Sequence, residues 1–89
     1  MYIKLRTDVG GILYLDSIPN SIDSYRTYKT EFWYFKKGAL FSYTDMNYKF
    51  KSRENVESLL DELIMLESEG TILVDLDQLI DKLEIQLLP

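Results

Sequence analysis

Near Ser52 the hydrophobic period of this 89-residue chain changes from two to 3.6, so strands must come first and helices last. Before the switch, Ile3 and Leu5 alternate with Tyr2, Lys4 and Arg6, and Leu13 and Leu15 alternate with Ile12, Tyr14 and Asp16. Alternation of this kind sends the two sets to opposite faces of a strand. Between the two runs, Asp8-Val9-Gly10-Gly11 supplies residues that tolerate positive φ, so residues 2–7 and 12–16 read as a β-hairpin. Its apolar face is Ile3, Leu5, Leu13 and Leu15, and Tyr2, Lys4, Arg6 and Tyr14 share the other. Glu31-Phe32-Trp33-Tyr34-Phe35-Lys36 is apolar on both faces and reads as a central strand. Lys37-Gly38 then turns the chain. Residues 39–44 and 47–51 read as further strands around the turn Asp45-Met46-Asn47, with Tyr48 and Phe50 facing one way and Asn47, Lys49 and Lys51 the other. The polar stretch 17–30, with Pro19-Asn20 near its start, reads as a long loop.

After the switch, Ser52 is placed to cap a helix and Glu54 lies in its first turn, where the helix dipole favours a negative charge. Val56, Leu59, Leu60, Leu63 and Leu66 form the apolar stripe, and Gly70 is the stop. Thr71-Ile72-Leu73-Val74 is a short connector or strand. Asp75 starts a second helix, with Gln78 completing a capping box and Leu76, Leu79, Ile80, Leu83 and Leu87 as its stripe. The tail 84–88 alternates and fits helix or strand. The expected fold is a single α+β domain over residues 1–89, mainly strands over 1–51 and mainly helical over 52–89. An antiparallel sheet of four to five strands is covered on one face by the two C-terminal helices. Its expected core is Ile3, Leu5, Leu13, Leu15, Trp33, Phe35, Phe41, Phe50, Val56, Leu59, Leu60, Leu63, Leu79, Ile80 and Leu83.

Charge divides at the same point. Residues 1–53 hold nine basic and five acidic side chains, a net of +4, whereas residues 54–89 hold ten acids and only Lys82, a net of −9. The chain has no cysteine, no apolar run long enough for a membrane span, and no apolar leader segment at its start. These features lead to the expectation of a cytoplasmic protein.

Much catalytic chemistry lacks its side chains. Without histidine there is no general base tuned to neutral pH and no Ser-His or Cys-His nucleophile pair. Gly10-Gly11 has neither the spacing nor the following helix of a phosphate loop. Asp75, Asp77 and Asp81 offer oxygen ligands for Mg²⁺ or Ca²⁺, but an EF-hand loop fails where Ile80 stands in place of its glycine, and helix capping accounts for the same residues. The expectation is therefore no enzyme, no cofactor and no metal.

Two binding readings remain. In the first, the acidic helical half binds a basic surface of a partner protein through Glu57, Asp61, Glu62, Glu67, Glu69, Asp77, Asp81 and Glu84. Charge complementarity would speed that encounter. The chain would then be a small inhibitor or regulator, such as a phage or mobile-element antagonist of a nuclease or defence complex. The plain alternative is a solvated helix face, although ordinary surfaces mix both signs. In the second reading, the strand half binds single-stranded nucleic acid. Tyr2 and Tyr14 would stack on bases, and Lys4, Arg6, Lys36, Lys37, Lys49, Lys51 and Arg53 would follow the phosphates. Here the plain alternative is aromatic strand packing. The Leu76/Leu79/Ile80/Leu83/Leu87 stripe also permits a homodimer seam, in competition with packing on the chain's own sheet.

Overall fold

A computed structural model describes residues 1–37 and 47–89. The expected strand 39–44, most of the turn 45–47, the core residue Phe41 and the turn residue Gly38 lie outside the described residues. The fold is α+β, with strands first and helices in the C-terminal half. In chain order the elements are β1 (Tyr2–Arg6), β2 (Ile12–Leu15), β3 (Ser21–Arg26), β4 (Glu31–Lys36), α1 (Arg53–Ser68), β5 (Leu73–Asp75) and α2 (Leu76–Lys82).

Strands β1 and β2 pair antiparallel in the expected hairpin, with Ile3 opposite Leu15 and Leu5 opposite Leu13. The turn closes through Thr7, whose N–H donates to the Gly11 carbonyl at 2.9 Å and whose Oγ accepts from the Gly11 N–H at 2.9 Å. Gly10 takes φ +86°, open to glycine and disfavoured for a residue with a Cβ. The connector 71–74 resolves as β5, which lies parallel to β1 with Ile3 beside Val74. The first sheet therefore has the order β2-β1-β5.

The polar stretch 17–30 is not a long loop. Ser21–Arg26 is a strand, paired antiparallel with β4 from Ser21 opposite Lys36 to Arg26 opposite Glu31. The pairing needs little apolar alternation because β3 is an edge strand, and its support comes from the ladder and from Tyr25 stacked on Phe32 at 5.3 Å. The described strands thus form sheets of three and two instead of a single sheet. The second sheet is extended by single bridges: Phe50 pairs with Trp33 on one side and with Leu87 on the other. Residues 47–51 and 84–88 contribute these bridges and not full strands.

Helix α1 begins as its residues dictate, with the Ser52 hydroxyl accepting from the Asn55 N–H at 3.3 Å. It ends in a Schellman motif: Gly70 at φ +85° donates to Glu67, and Thr71 donates to Leu66 at 3.0 Å. In α2, Asp75 caps by accepting from the Asp77 and Gln78 N–H groups. The same motif closes α2, with Ile85 donating to Ile80 and Glu84 as the left-handed residue at φ +57°. Helix α1 lies against β3 and β4, whereas α2 lies against β1 and β5.

One core joins the layers. It combines Ile3, Leu5 and Val74 of the first sheet, Phe35, Tyr48 and Phe50 around the second, Val56, Leu59 and Leu63 of α1, and Leu76, Leu79 and Ile80 of α2. Leu13, Leu15, Trp33, Leu60 and Leu83 pack against it only partly buried. The α2 stripe is consequently unavailable as a homodimer seam, because Leu76, Leu79 and Ile80 are buried in the chain's own core and Leu83 and Leu87 pack against it.

Candidate functional site

Two surfaces emerge, one acidic and one mixed. The acidic surface comes from the spacing that makes α1 amphipathic. With Val56, Leu59 and Leu63 turned inward, Glu54, Glu57 and Asp61 are exposed on the far side, and Glu67 and Glu69 are exposed at the C-terminal end. Arg53 holds Glu57 in an i,i+4 pair at 2.8 Å. Asp61, Glu62, Glu67 and Glu69 have no cationic partner among the described residues. Asp81 and Glu84 at the end of α2 are exposed and likewise without one. Asp77 differs, since both its oxygens accept from Arg6, at 2.8 and 2.9 Å. Of the eight acidic candidates, six keep an uncompensated charge and two are tied up in ion pairs.

At the last turn of α1 the charge opposes the helix. Exposed backbone carbonyls give that end a partial negative charge, which lysine or arginine stabilises. No basic residue occupies the last turn, and Glu67 and Glu69 stand there instead.

The second surface is the outer face of the first sheet. The register sets Tyr2 beside Leu73, Tyr14 beside Lys4, and Ile12 beside Arg6. This face is open to solvent, so Tyr2, Lys4, Arg6 and Tyr14 do share a surface as their alternation implied. Leu73 joins them through the parallel β1–β5 pairing, for which no local signal exists in the sequence. Ile12 belonged to the same parity and was legible.

Each cation on this face has an acidic neighbour. Lys4 lies 4.0 Å from Asp75, and Arg6 is bidentate on Asp77 while its guanidinium sits over the Tyr48 ring. The other basic candidates are scattered. Lys36 pairs with Asp23 at 2.9 Å and Lys37 pairs with Asp16, tying β4 to β3 and to the end of β2. The hydrogen bonds from these lysines hold both carboxyl groups below their ordinary pKa. Lys49 lies over the Phe32 ring, Lys51 donates to Gln86 at 3.2 Å, and Arg53 starts α1. The structure therefore brings four of the nine nucleic-acid candidates onto one face and distributes the rest.

An open cleft of about 400 Å³ runs beside the Arg6–Asp77 pair, with Ile80, Asp81, Ile85 and Leu87 around it. Among the described residues no three acidic side chains converge to hold a metal ion, and no helix is long and apolar enough to cross a membrane. Asp75 is engaged by capping and Asp77 by Arg6. Comparison with known proteins gave no match to a family model, to a curated protein or to a solved structure.

Proposed function

We propose that this chain is a non-catalytic interaction protein, an inhibitor or regulator whose acidic helical half binds a basic surface of a partner protein. The observation that carries the reading is the C-terminal turn of α1. Glu67 and Glu69 sit where their charge opposes the helix dipole and where no cation among the described residues offsets it, so helix stability does not account for them. The wider charge layout supports it. Ion pairs absorb Lys4, Arg6, Arg26, Lys36, Lys37 and Arg53, while Glu54, Asp61, Glu62, Glu67, Glu69, Asp81 and Glu84 keep their charge. Within that acidic half, Lys82 is the lone opposing charge outside an ion pair among the described residues. A phage or mobile-element antagonist that covers the basic groove of a nuclease or defence complex fits this size and sign.

The test compares wild type with the triple variant Asp61→Lys, Glu67→Lys, Glu69→Lys, each immobilised and exposed to lysate at low and high salt. Captured proteins of high pI that disappear in the variant and at high salt support the reading. Equal capture by both proteins would sink it. Labelled single-stranded DNA, single-stranded RNA and duplex DNA are titrated in parallel. Salt-sensitive binding there would transfer the function to the sheet face, against the pairing of Lys4 and Arg6 with carboxylates.

A further inference from the structure

The outer face of the first sheet carries a group of large apolar side chains that no described element of the chain covers. Tyr2, Ile12, Tyr14 and Leu73 are contiguous through the strand register and are each between 54% and 60% exposed. The inward side of this sheet, through Ile3, Leu5 and Val74, joins the core shared with both helices, and α2 packs directly on β1 and β5. An uncovered sheet face with large apolar side chains marks an interaction surface.

We infer that this face is the contact between two copies of the chain, packed face to face about a twofold axis. Charge selects the occupant. The two cations on the face are already neutralised, Lys4 by Asp75 and Arg6 by Asp77. The face consequently has no net charge with which to attract nucleic acid or a basic protein. The chain as a whole carries −5, and its uncompensated acids lie largely on α1, across the core from this face. Two copies that met through their helices would repel strongly. Meeting through the open faces turns both α1 helices outward and buries the apolar side chains. A twofold contact also places the same patch on both sides, which a neutral apolar patch satisfies without a complementary sequence.

Area sets the strength. Four large side chains at half exposure offer about 400 Å² per copy, roughly half of the ~800 Å² per partner of a standard stable interface. The dimer is therefore reversible and concentration-dependent. Because like-charged copies must approach, salt tightens it. Capture of a basic partner by α1 has the opposite salt dependence.

Sedimentation equilibrium from about 10 µM to about 1 mM, a range suited to an interface below the standard size, tests the inference. The expected result is a mass that climbs from 10.5 kDa toward twice that value, with the midpoint at lower concentration in high salt. Tyr14→Asp and Leu73→Asp should each stay at the monomer mass with an unchanged circular dichroism spectrum. The unmodified protein gives an independent readout: concentration-dependent NMR shifts should centre on Tyr2, Ile12, Tyr14 and Leu73. A monomer at every concentration and salt overturns the inference. So does a dimer that loosens with salt, survives both substitutions, or shifts resonances of α1 or β3 instead. Tyr14→Asp leaves the acidic helix intact, so failure here leaves the basic-partner reading standing, and the reverse also holds.

Discussion

Tyr48 is wholly buried, and its hydroxyl accepts the Arg6 backbone N–H at 2.8 Å, at the end of β1. A buried donor without a partner is costly, so Tyr48→Phe should destabilise by about 1–2 kcal/mol despite its near-identical shape. Chemical denaturation would show the loss as a lower midpoint with an unchanged m-value. Burial also pushes the Tyr48 hydroxyl pKa up. In the unfolded chain this tyrosine ionises near pH 10 (about its ordinary value), while the folded state retains the proton. The associated stability is full below that pH and is lost as pH rises toward the folded pKa. The gap between wild type and Tyr48→Phe should therefore narrow above about pH 10, where only wild type suffers this loss. A gap that stays constant would place the alkaline sensitivity elsewhere. Glu84 makes the opposite case. It stands at φ +57° where α2 closes, a conformation that suits glycine. Glu84→Gly should stabilise by about 0.5–1 kcal/mol, since relief of the strain is partly offset by the greater freedom of glycine in the unfolded chain.

Helix α1 is the element most fully written in its own residues. Ser52, the Val56/Leu59/Leu63 stripe and Gly70 are local signals, and each acts in the structure as its chemistry requires. The same helix predicts a conflict between stability and function. Replacing Glu67 and Glu69 with lysine should raise stability by about 0.5–1.5 kcal/mol, because both new charges complement the dipole. If the proposed function holds, the double variant melts higher and binds its partner less well, a combination that a merely solvated surface does not produce. Strand β3 shows why other elements were hidden. Ser21–Arg26 has no apolar period to read, and it becomes a strand through partners distant in the chain's local pattern: the β4 ladder, the Asp23–Lys36 and Arg26–Glu31 pairs, and the Tyr25–Phe32 stack. Leu73 likewise reached the open face only through parallel pairing with β1, a register fixed by the whole fold.

At the scale of the molecule, the two halves that differ so sharply in charge are cross-linked. Lys4 and Arg6 of β1 meet Asp75 and Asp77 where β5 passes into α2. The charge division along the sequence thus reported an acidic surplus faithfully, but it overstated the free positive charge of the strand half. Burial is divided unevenly as well. The chain measures 43 × 24 × 22 Å, and Ser24 through Glu31, at the distal end of the β3–β4 hairpin, are all exposed, including Tyr28 at 92%. That end is held by ladder hydrogen bonds, the Thr27 hydroxyl accepting from the Lys29 and Thr30 N–H groups, one surface ion pair, Lys29 over the Tyr28 ring and the Tyr25–Phe32 stack, whereas Ile3, Leu5, Leu59 and Leu63 lie in the shared core. Exposed ion pairs contribute about 0–1 kcal/mol, so the distal hairpin should open without global unfolding. Amide exchange in native conditions should show residues 25–31 exchanging through local opening, and trypsin should cut first after Arg26 or Lys29. The amides of Ile3, Leu5, Leu59 and Leu63 should share one slower, denaturant-sensitive limit. Tyr25→Ala should quicken exchange at the distal end and leave that limit in place, because it removes the stack on Phe32 and Tyr25 is no part of the core cluster that holds Ile3, Leu5, Leu59 and Leu63. If residues 25–31 instead exchange at the core limit, the two sheets unfold as one cooperative unit and the hairpin draws its stability from contacts beyond its own ladder.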